Sequence, residues 1–156
     1  MPISAIWFWA FGGGQTRYMA IESLGLSFLQ PTDFQPVAAL ISDAVNYGPG
    51  VYSINENTSY NTFNGPISLL PIAGTIGRVG INVTGQLTID SSGNWSFTGD
   101  FGVLPDRYDA DTATNRVWYQ EALTSFLLTI GSIFPSTTDY DIEFIGRQPI
   151  SGSGVR

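Results

Sequence analysis

Hydrophobic and polar residues alternate most clearly in the middle of the chain. From residue 75 to residue 90, apolar side chains recur at alternating positions, which is the period of a half-buried strand. The pattern predicts one long strand, or two strands broken between residues 77 and 80. Residues 91–94 predict a hairpin turn. Residues 95–103 predict the returning strand, in which Gly99 indicates the bend that a curved sheet needs.

Two other stretches have helical spacing. In the first, apolar residues follow Pro31 at intervals of three and four; Thr32 or Asp33 is the predicted cap, and Gly48 ends the helix. The second, residues 117–134, is the clearest helix in the sequence and ends at Pro135. The apolar stripes are Val37, Leu40, Ile41, Ala44 and Val45 in the first helix, and Trp118, Ala122, Phe126, Ile130 and Ile133 in the second.

The remaining segments are shorter. Residues 3–11 are too aromatic for a good helix and predict a buried strand. The three glycines after them predict a turn rather than a phosphate-binding loop, because no Gly-Lys-Ser/Thr follows. Residues 17–22 predict a strand, residues 55–65 a polar loop, and residues 139–145 the last strand. Together the elements predict a single domain, residues 1–156, of the α+β class.

The composition excludes several kinds of chemistry. The net charge is −7 and there is no lysine, which argues against non-specific nucleic-acid binding and against docking on an anionic membrane. Histidine and cysteine are absent, so zinc lacks its usual ligands and Ser-His or Cys-His nucleophiles are excluded. Any metal would be a hard cation with oxygen ligands. No apolar run is long enough to span a membrane, and residues 3–11 do not predict a signal peptide.

Polar chemistry is concentrated between residues 106 and 116, at the predicted junction of a strand and a helix. Tyr108 lies between Asp106 and Asp109 in this stretch. Paired carboxylates can hold Mg²⁺ or act as acid and base, and the fork of Arg116 matches phosphate oxygens. These residues predict a phosphoester site. The alternative is a purely structural role, in which Asp109 or Asp111 caps the helix, Asp106 pairs with Arg107 and Tyr108 is a packed aromatic residue.

The spacing of these residues resembles a known signature. Asp106-x-Tyr108-Asp109-x₅-Asn115-Arg116 is similar to the D-x-Y-D-x₅-H-R motif of the colicin M family of bacteriocins. A hairpin precedes the motif, a helix and a strand follow it, and the chain closes on a short tail that ends in arginine. Residues 11–17 contain a weaker match, Phe11-Gly12-x-Gly14-x-x-Arg17.

The resemblance implies a fold and an activity. The family's catalytic domain is described as an open half-barrel, so we expect a curved antiparallel sheet flanked by helices. The implied activity is Mg²⁺-dependent hydrolysis of lipid II, the peptidoglycan precursor, between its undecaprenyl chain and its pyrophosphate. Asp106, Tyr108, Asp109 and Arg116 match the family's site positions. Asp106 and Asp109 are the expected metal ligands.

One departure from the motif bears on activity. Asn115 stands where the family has histidine. An amide has no proton to exchange near neutral pH, although it can hydrogen-bond a phosphate or a water. This leaves two hypotheses: an active phosphodiesterase in which Asp106 takes over the histidine's work, or a non-catalytic relative that binds a lipid-linked pyrophosphate.

The resemblance also implies a cellular setting. Whole colicins carry translocation and receptor-binding regions ahead of the catalytic domain. From its length we expect this chain to hold the toxic domain, with at most a short leader. We expect a monomer that is released from its producer. It would act in the periplasm or cell envelope of the target, at the outer face of the inner membrane, and an immunity protein is a possible partner.

Overall fold

A computed structural model describes residues 8, 11–66, 77–108 and 139–156. The chain groups into two compact units. The first combines Met1–Met19, Asn61–Arg78 and Pro105–Glu143, and the second combines Ala20–Tyr60, Val79–Leu104 and Phe144–Arg156. That the whole chain is one catalytic domain stays a prediction.

Strands dominate the part of the chain that the structure describes. Four of them form an open sheet in the order β2-β3-β4-β7, and three form a smaller sheet in the order β1-β6-β5. The elements are β1 (Arg17–Ala20), 3₁₀ helices at Ile21–Leu24 and Pro31–Asp33, α1 (Gln35–Ser42), β2 (Gly50–Asn61), a 3₁₀ helix at Thr62–Asn64, β3 (Arg78–Ile89), β4 (Asn94–Val103), β5 (Asp106–Tyr108), β6 (Tyr140–Ile145) and β7 (Gln148–Val155). The α+β class is confirmed.

The centre of the larger sheet is the predicted hairpin of β3 and β4, which pair antiparallel. The Asp90 carboxylate organises its turn. Oδ1 accepts the backbone N–H groups of Ser92 and Asn94, both at 2.8 Å, and Oδ2 accepts the Asn94 amide at 2.7 Å. These hydrogen bonds, with the Asn94 side chain first, lower the pKa of Asp90.

The core of the second unit contains the apolar residues that alternate along β3 and β4, as the pattern predicted for them. Phe34, the residue just before α1, packs on this face, and its ring lies 5.3 Å from that of Phe101. Burial of these side chains is the main source of stability for the unit. Its buried residues include Phe34, Val37, Ile54, Val79, Ile81, Val83, Leu87, Ile89, Trp95, Phe97, Phe101, Val103 and Ile150.

Two glycines face each other inside the hairpin, because the register pairs Gly85 with Gly99. A Cβ atom on Gly99 would clash with the Thr84 carbonyl oxygen and would lie 2.7 Å from the Gly85 Cα. It would also lie 2.9 Å from the ring of Phe97. Gly99 therefore allows a close approach of two backbones that no other residue permits without a shift of the strands.

The polar loop predicted for residues 55–65 is wrong, because most of that stretch belongs to β2. Asn82 of β3 donates through Nδ2 to the side-chain oxygens of Asn55, at 3.2 Å, and Asn57, at 2.9 Å. The asparagines that suggested a loop thus hydrogen-bond across the sheet. Pairing with β3 outweighs the low strand propensity of these residues.

Residues 139–145 do form a strand, β6, but it is not the last one. The tail continues into β7, which pairs antiparallel with β4 and places Gly154 opposite Trp95. A Cβ atom on Gly154 would lie 3.0 Å from the indole ring. The small residues of the tail, which carry little sequence signal of a strand, make room for this tryptophan.

Helix α1 is shorter than predicted. It ends at Ser42 because Asp43 closes a turn, accepting the Asn46 backbone N–H at 3.1 Å and its side-chain amide at 2.7 Å. Val45 is 94% exposed and does not belong to the core. The predicted cap is also wrong: Asp33 belongs to the preceding 3₁₀ turn, where its carboxylate accepts the Gln30 backbone N–H at 2.8 Å.

The strand predicted for residues 3–11 is wrong at the two positions that the structure describes. Phe8 and Phe11 are helical, and the Gly12 N–H donates to the Phe8 carbonyl oxygen at 2.6 Å. Gly13 and Gly14 have positive φ angles and form the predicted turn.

The helix predicted for residues 117–134 lies outside the described residues. No helix within them is long and apolar enough to cross a membrane.

Candidate functional site

The first residue of the sequence motif, Asp106, opens β5 and is half-buried. β5 pairs antiparallel with β6, so that Asp106 lies opposite Ile142 and Tyr108 lies opposite Tyr140. The start of the motif is therefore strand rather than the entrance of a helix. A short strand held by β6 fixes the backbone from which the Asp106 carboxylate projects.

The other site residues are described in part or not at all. The structure gives the backbone of Tyr108 on the same strand as Asp106. Asp109, Asn115 and Arg116 lie outside the described residues. Asp106 and Tyr108 therefore lie on one strand. That Asp109, Asn115 and Arg116 complete a site with them stays a prediction.

The same small sheet contributes a buried tyrosine to a cluster that the sequence analysis missed. Tyr140 is 1% exposed, and its ring meets Phe8 edge to face with centroids 4.8 Å apart. The Arg17 guanidinium lies 5.8 Å from the centre of the Phe8 ring, within range of a cation–π contact. Burial raises the pKa of the Tyr140 hydroxyl, while a hydrogen bond from Arg17 and its positive charge act in the opposite direction.

This cluster adjoins the candidate site through the strand order. β6 lies between β1 and β5, so Tyr140 belongs to the strand between those of Arg17 and Tyr108. A buried tyrosine held by an arginine fixes the neighbouring strand. Arg17 had only a weak signal, as the last residue of the Phe11-to-Arg17 match. Tyr140 was visible in the sequence only as one of the alternating apolar positions of β6. That pattern does not distinguish it from an ordinary aromatic residue of the core.

The candidate metal ligands are the carboxylates Asp106 and Asp109. Within the described residues, no three or more side chains of the Asp, Glu, His and Cys types cluster closely enough to hold a metal ion. Asp106 is the described member of the predicted pair. With no histidine or cysteine in the chain, the available donors are oxygen atoms, and their chemistry fits Mg²⁺ rather than zinc.

Comparison with models of protein families identifies the family of this chain. The family model described as Colicin M matches residues 1–156. The chain belongs to the Colicin M family. The resemblance carried by the Asp106–Arg116 motif is confirmed, and the family match extends well beyond the motif to cover the whole chain.

One curated member of the Colicin M family is similar over nearly the whole chain. Colicin-M of Escherichia coli is 27% identical over 155 residues, which are 99% of this chain and 53% of that protein. The chain therefore spans about half the length of the curated relative that it matches.

Solved structures of the Colicin M family share the fold. The bacteriocin syringacin M from Pseudomonas syringae pv. tomato is 29% identical with a TM-score of 0.75, over 99% of this chain and 52% of that one. Pectocin M2, 24% identical, has a TM-score of 0.83 over 99% of this chain and 54% of its own. The match to pectocin M2 supports the fold alone, while syringacin M is also a relative by sequence.

Proposed function

We propose that this chain is an antibacterial toxin domain that acts as a Mg²⁺-dependent phosphodiesterase on lipid II. It hydrolyses the link between the undecaprenyl chain and the pyrophosphate and so blocks peptidoglycan synthesis. The family match over residues 1–156 carries the proposal. Two further observations support it: syringacin M, a relative, is a bacteriocin, and Asp106 opens a strand that is fixed on β6.

Each residue of the motif has a task in this hydrolysis. Asp106 and Asp109 would hold Mg²⁺, which would supply positive charge to the phosphate oxygens. Arg116 neutralises charge that develops on the pyrophosphate. Asn115 hydrogen-bonds a phosphate oxygen or the attacking water.

The bond changes balance with one molecule of water. The water oxygen bonds to the phosphorus next to the undecaprenyl chain, and Asp106 accepts a proton from that water. The bond from phosphorus to the undecaprenyl oxygen breaks, and Tyr108 delivers a proton to this leaving oxygen. The products are undecaprenol and a pyrophosphorylated disaccharide-peptide.

Removal of the metal tests the proposal directly. The pure protein is incubated with lipid II and Mg²⁺, with and without EDTA, and the products are separated by chromatography. We expect both products with Mg²⁺, none with EDTA, and full recovery when Mg²⁺ is added in excess. Turnover that persists in EDTA would contradict the metal assignment, and intact lipid II in every sample would contradict the enzyme.

Asn115, at the family's histidine position, favours a second candidate function: binding of a lipid-linked pyrophosphate without catalysis. For the enzyme that we propose, Asn115→His should change the turnover of lipid II by less than about tenfold, because Asp106 already supplies the base. Asn115→Ala serves as the control for the amide itself. If the natural protein binds lipid II without cleaving it and Asn115→His creates activity, the binding function is the correct one.

The proposed substrate also fixes where the domain would work. Lipid II presents its pyrophosphate at the outer face of the bacterial inner membrane, so the domain acts in the periplasm or cell envelope of the target after release from its producer. It does so as a monomer and without nucleic acid, and an immunity protein protects the producer. Light scattering of the pure protein checks the monomer.

A further inference from the structure

The second compact unit contains a groove between α1 and β2 that the proposed hydrolysis does not use. The groove has a volume of about 510 Å³, which lies within the range of ligand-binding sites. Pro36, Ala39 and Leu40 form its helical wall. Their spacing of three and four residues places them on one face of α1, so the wall is a regular surface of a rigid element.

The opposite wall is the edge of the sheet. Val51, Tyr52, Ser53 and Ile54, which are consecutive, line the groove together with Glu56. Successive side chains of a strand point to opposite faces, so a wall of consecutive residues means that the backbone edge of β2 itself faces the groove. Among the strands that the structure describes, β2 has β3 as its single neighbour. Its outer edge offers backbone N–H and C=O groups to a further strand.

Most side chains around this edge are apolar or aromatic; Ser53 is polar and Glu56 carries a charge. Val51 is 59% exposed, so its side chain adds apolar surface to the groove. The rings of Tyr47 and Tyr52 meet edge to face with centroids 5.9 Å apart, and the Tyr52 hydroxyl donates to the Gly48 carbonyl oxygen at 2.7 Å. These contacts fix the aromatic part of the groove. Glu56 is the one charged residue in its lining.

We propose that this groove binds an extended peptide segment, which adds to β2 as a further strand. Its backbone pairs with the outer edge of β2, its apolar side chains at alternate positions pack against Leu40 and Tyr52, and a lysine or arginine lies beside Glu56. Addition of a strand to a free sheet edge is a recurrent mode of peptide recognition. The lined part of β2, from Val51 to Glu56, spans roughly 20 Å, which matches a segment of about six residues.

The negative charge of the chain favours a cationic peptide over other ligands in this groove. A second copy of this chain would bring another net charge of −7 to the same edge, and its own Glu56 with it. Like charges at one interface oppose association, whereas a basic segment is attracted to it. A purely apolar small molecule would leave the backbone edge of β2 unpaired.

Titration of the full ¹⁵N-labelled chain with synthetic peptides tests the proposal. The probes are a set of acetylated and amidated hexapeptides that carry valine, leucine or phenylalanine at alternate positions and lysine or threonine between them. We expect the amide signals of residues 51–56 and of α1 to shift and saturate. The same peptides with alternate amides N-methylated, which cannot pair with a strand, should bind at least about tenfold more weakly.

A matched pair of charge reversals tests the role of Glu56. Glu56→Lys should weaken binding of the lysine-containing peptides at least about tenfold, while Glu22→Lys, at an exposed position outside the groove lining, should leave it unchanged. The peptide proposal is overturned if the whole set fails to shift residues 51–56 at millimolar concentration, if N-methylation has no effect, or if the same signals shift with protein concentration alone, as a second copy would cause. None of these results depends on lipid II cleavage.

Discussion

Asp106→Asn should lower the turnover of lipid II by at least about 100-fold. The substitution keeps the size of the side chain and one acceptor oxygen, but it removes the negative charge that we propose holds Mg²⁺ and the base that we propose accepts the proton of water. Because β5 is fixed on β6 by its backbone, the fold should survive. The measurement is the rate of undecaprenol release at saturating Mg²⁺, together with the thermal midpoint of unfolding.

Asp141→Asn is the matched control for this prediction. Asp141 is an exposed carboxylate on the adjacent strand β6, so the control makes the same chemical change in the same small sheet. Its turnover should remain within about twofold of the natural protein, because Asp141 is exposed and lies opposite Arg107, which has no role in the proposed hydrolysis. If Asp106→Asn keeps more than half of the natural activity while Asp141→Asn behaves as expected, the proposed site is wrong.

Gly99→Ala should destabilise the protein by about 3 kcal/mol or more. The new methyl group would meet the Thr84 carbonyl oxygen and the Gly85 Cα at distances far below van der Waals contact. These are backbone atoms of a central strand, so relief requires that β3 and β4 move apart and weaken their hydrogen bonds. Urea unfolding followed by tryptophan fluorescence measures the loss.

Gly48→Ala is the control for Gly99→Ala. A Cβ atom at Gly48 meets nothing within 4 Å, so its stability should stay within about 0.5 kcal/mol of the natural protein. Equal unfolding midpoints for Gly99→Ala and Gly48→Ala would show that the hairpin tolerates a wider spacing than the structure has.

The sequence predicted the hairpin well because its two strands bury one face and expose the other. It failed where a strand carries little apolar contrast. β2 is polar along most of its length, and its asparagines are held by Asn82, a partner that no local pattern reveals. β7 is built from small residues, and its place depends on Trp95. Both strands exist because of a neighbour rather than because of their own propensity.

The residues of the candidate site also differ in how well the sequence alone predicts them. Asp106 and Tyr108 could be found from a local motif, since their spacing is a property of one short stretch. Arg17 and Tyr140 could not, because they meet only when β1 and β6 pair across most of the length of the chain. Contacts between distant segments are set by tertiary packing, which a single sequence shows poorly.

The Asp90 turn has a consequence for the order in which the larger sheet assembles. A hairpin closed by a short turn forms in roughly 1–10 μs, and the Asp90 carboxylate holds this one with three hydrogen bonds made entirely within the turn. β2 and β7 lie on opposite sides of the hairpin and must close longer loops, which costs more chain entropy. The hairpin can therefore serve as a template onto which both outer strands add later, one along each side.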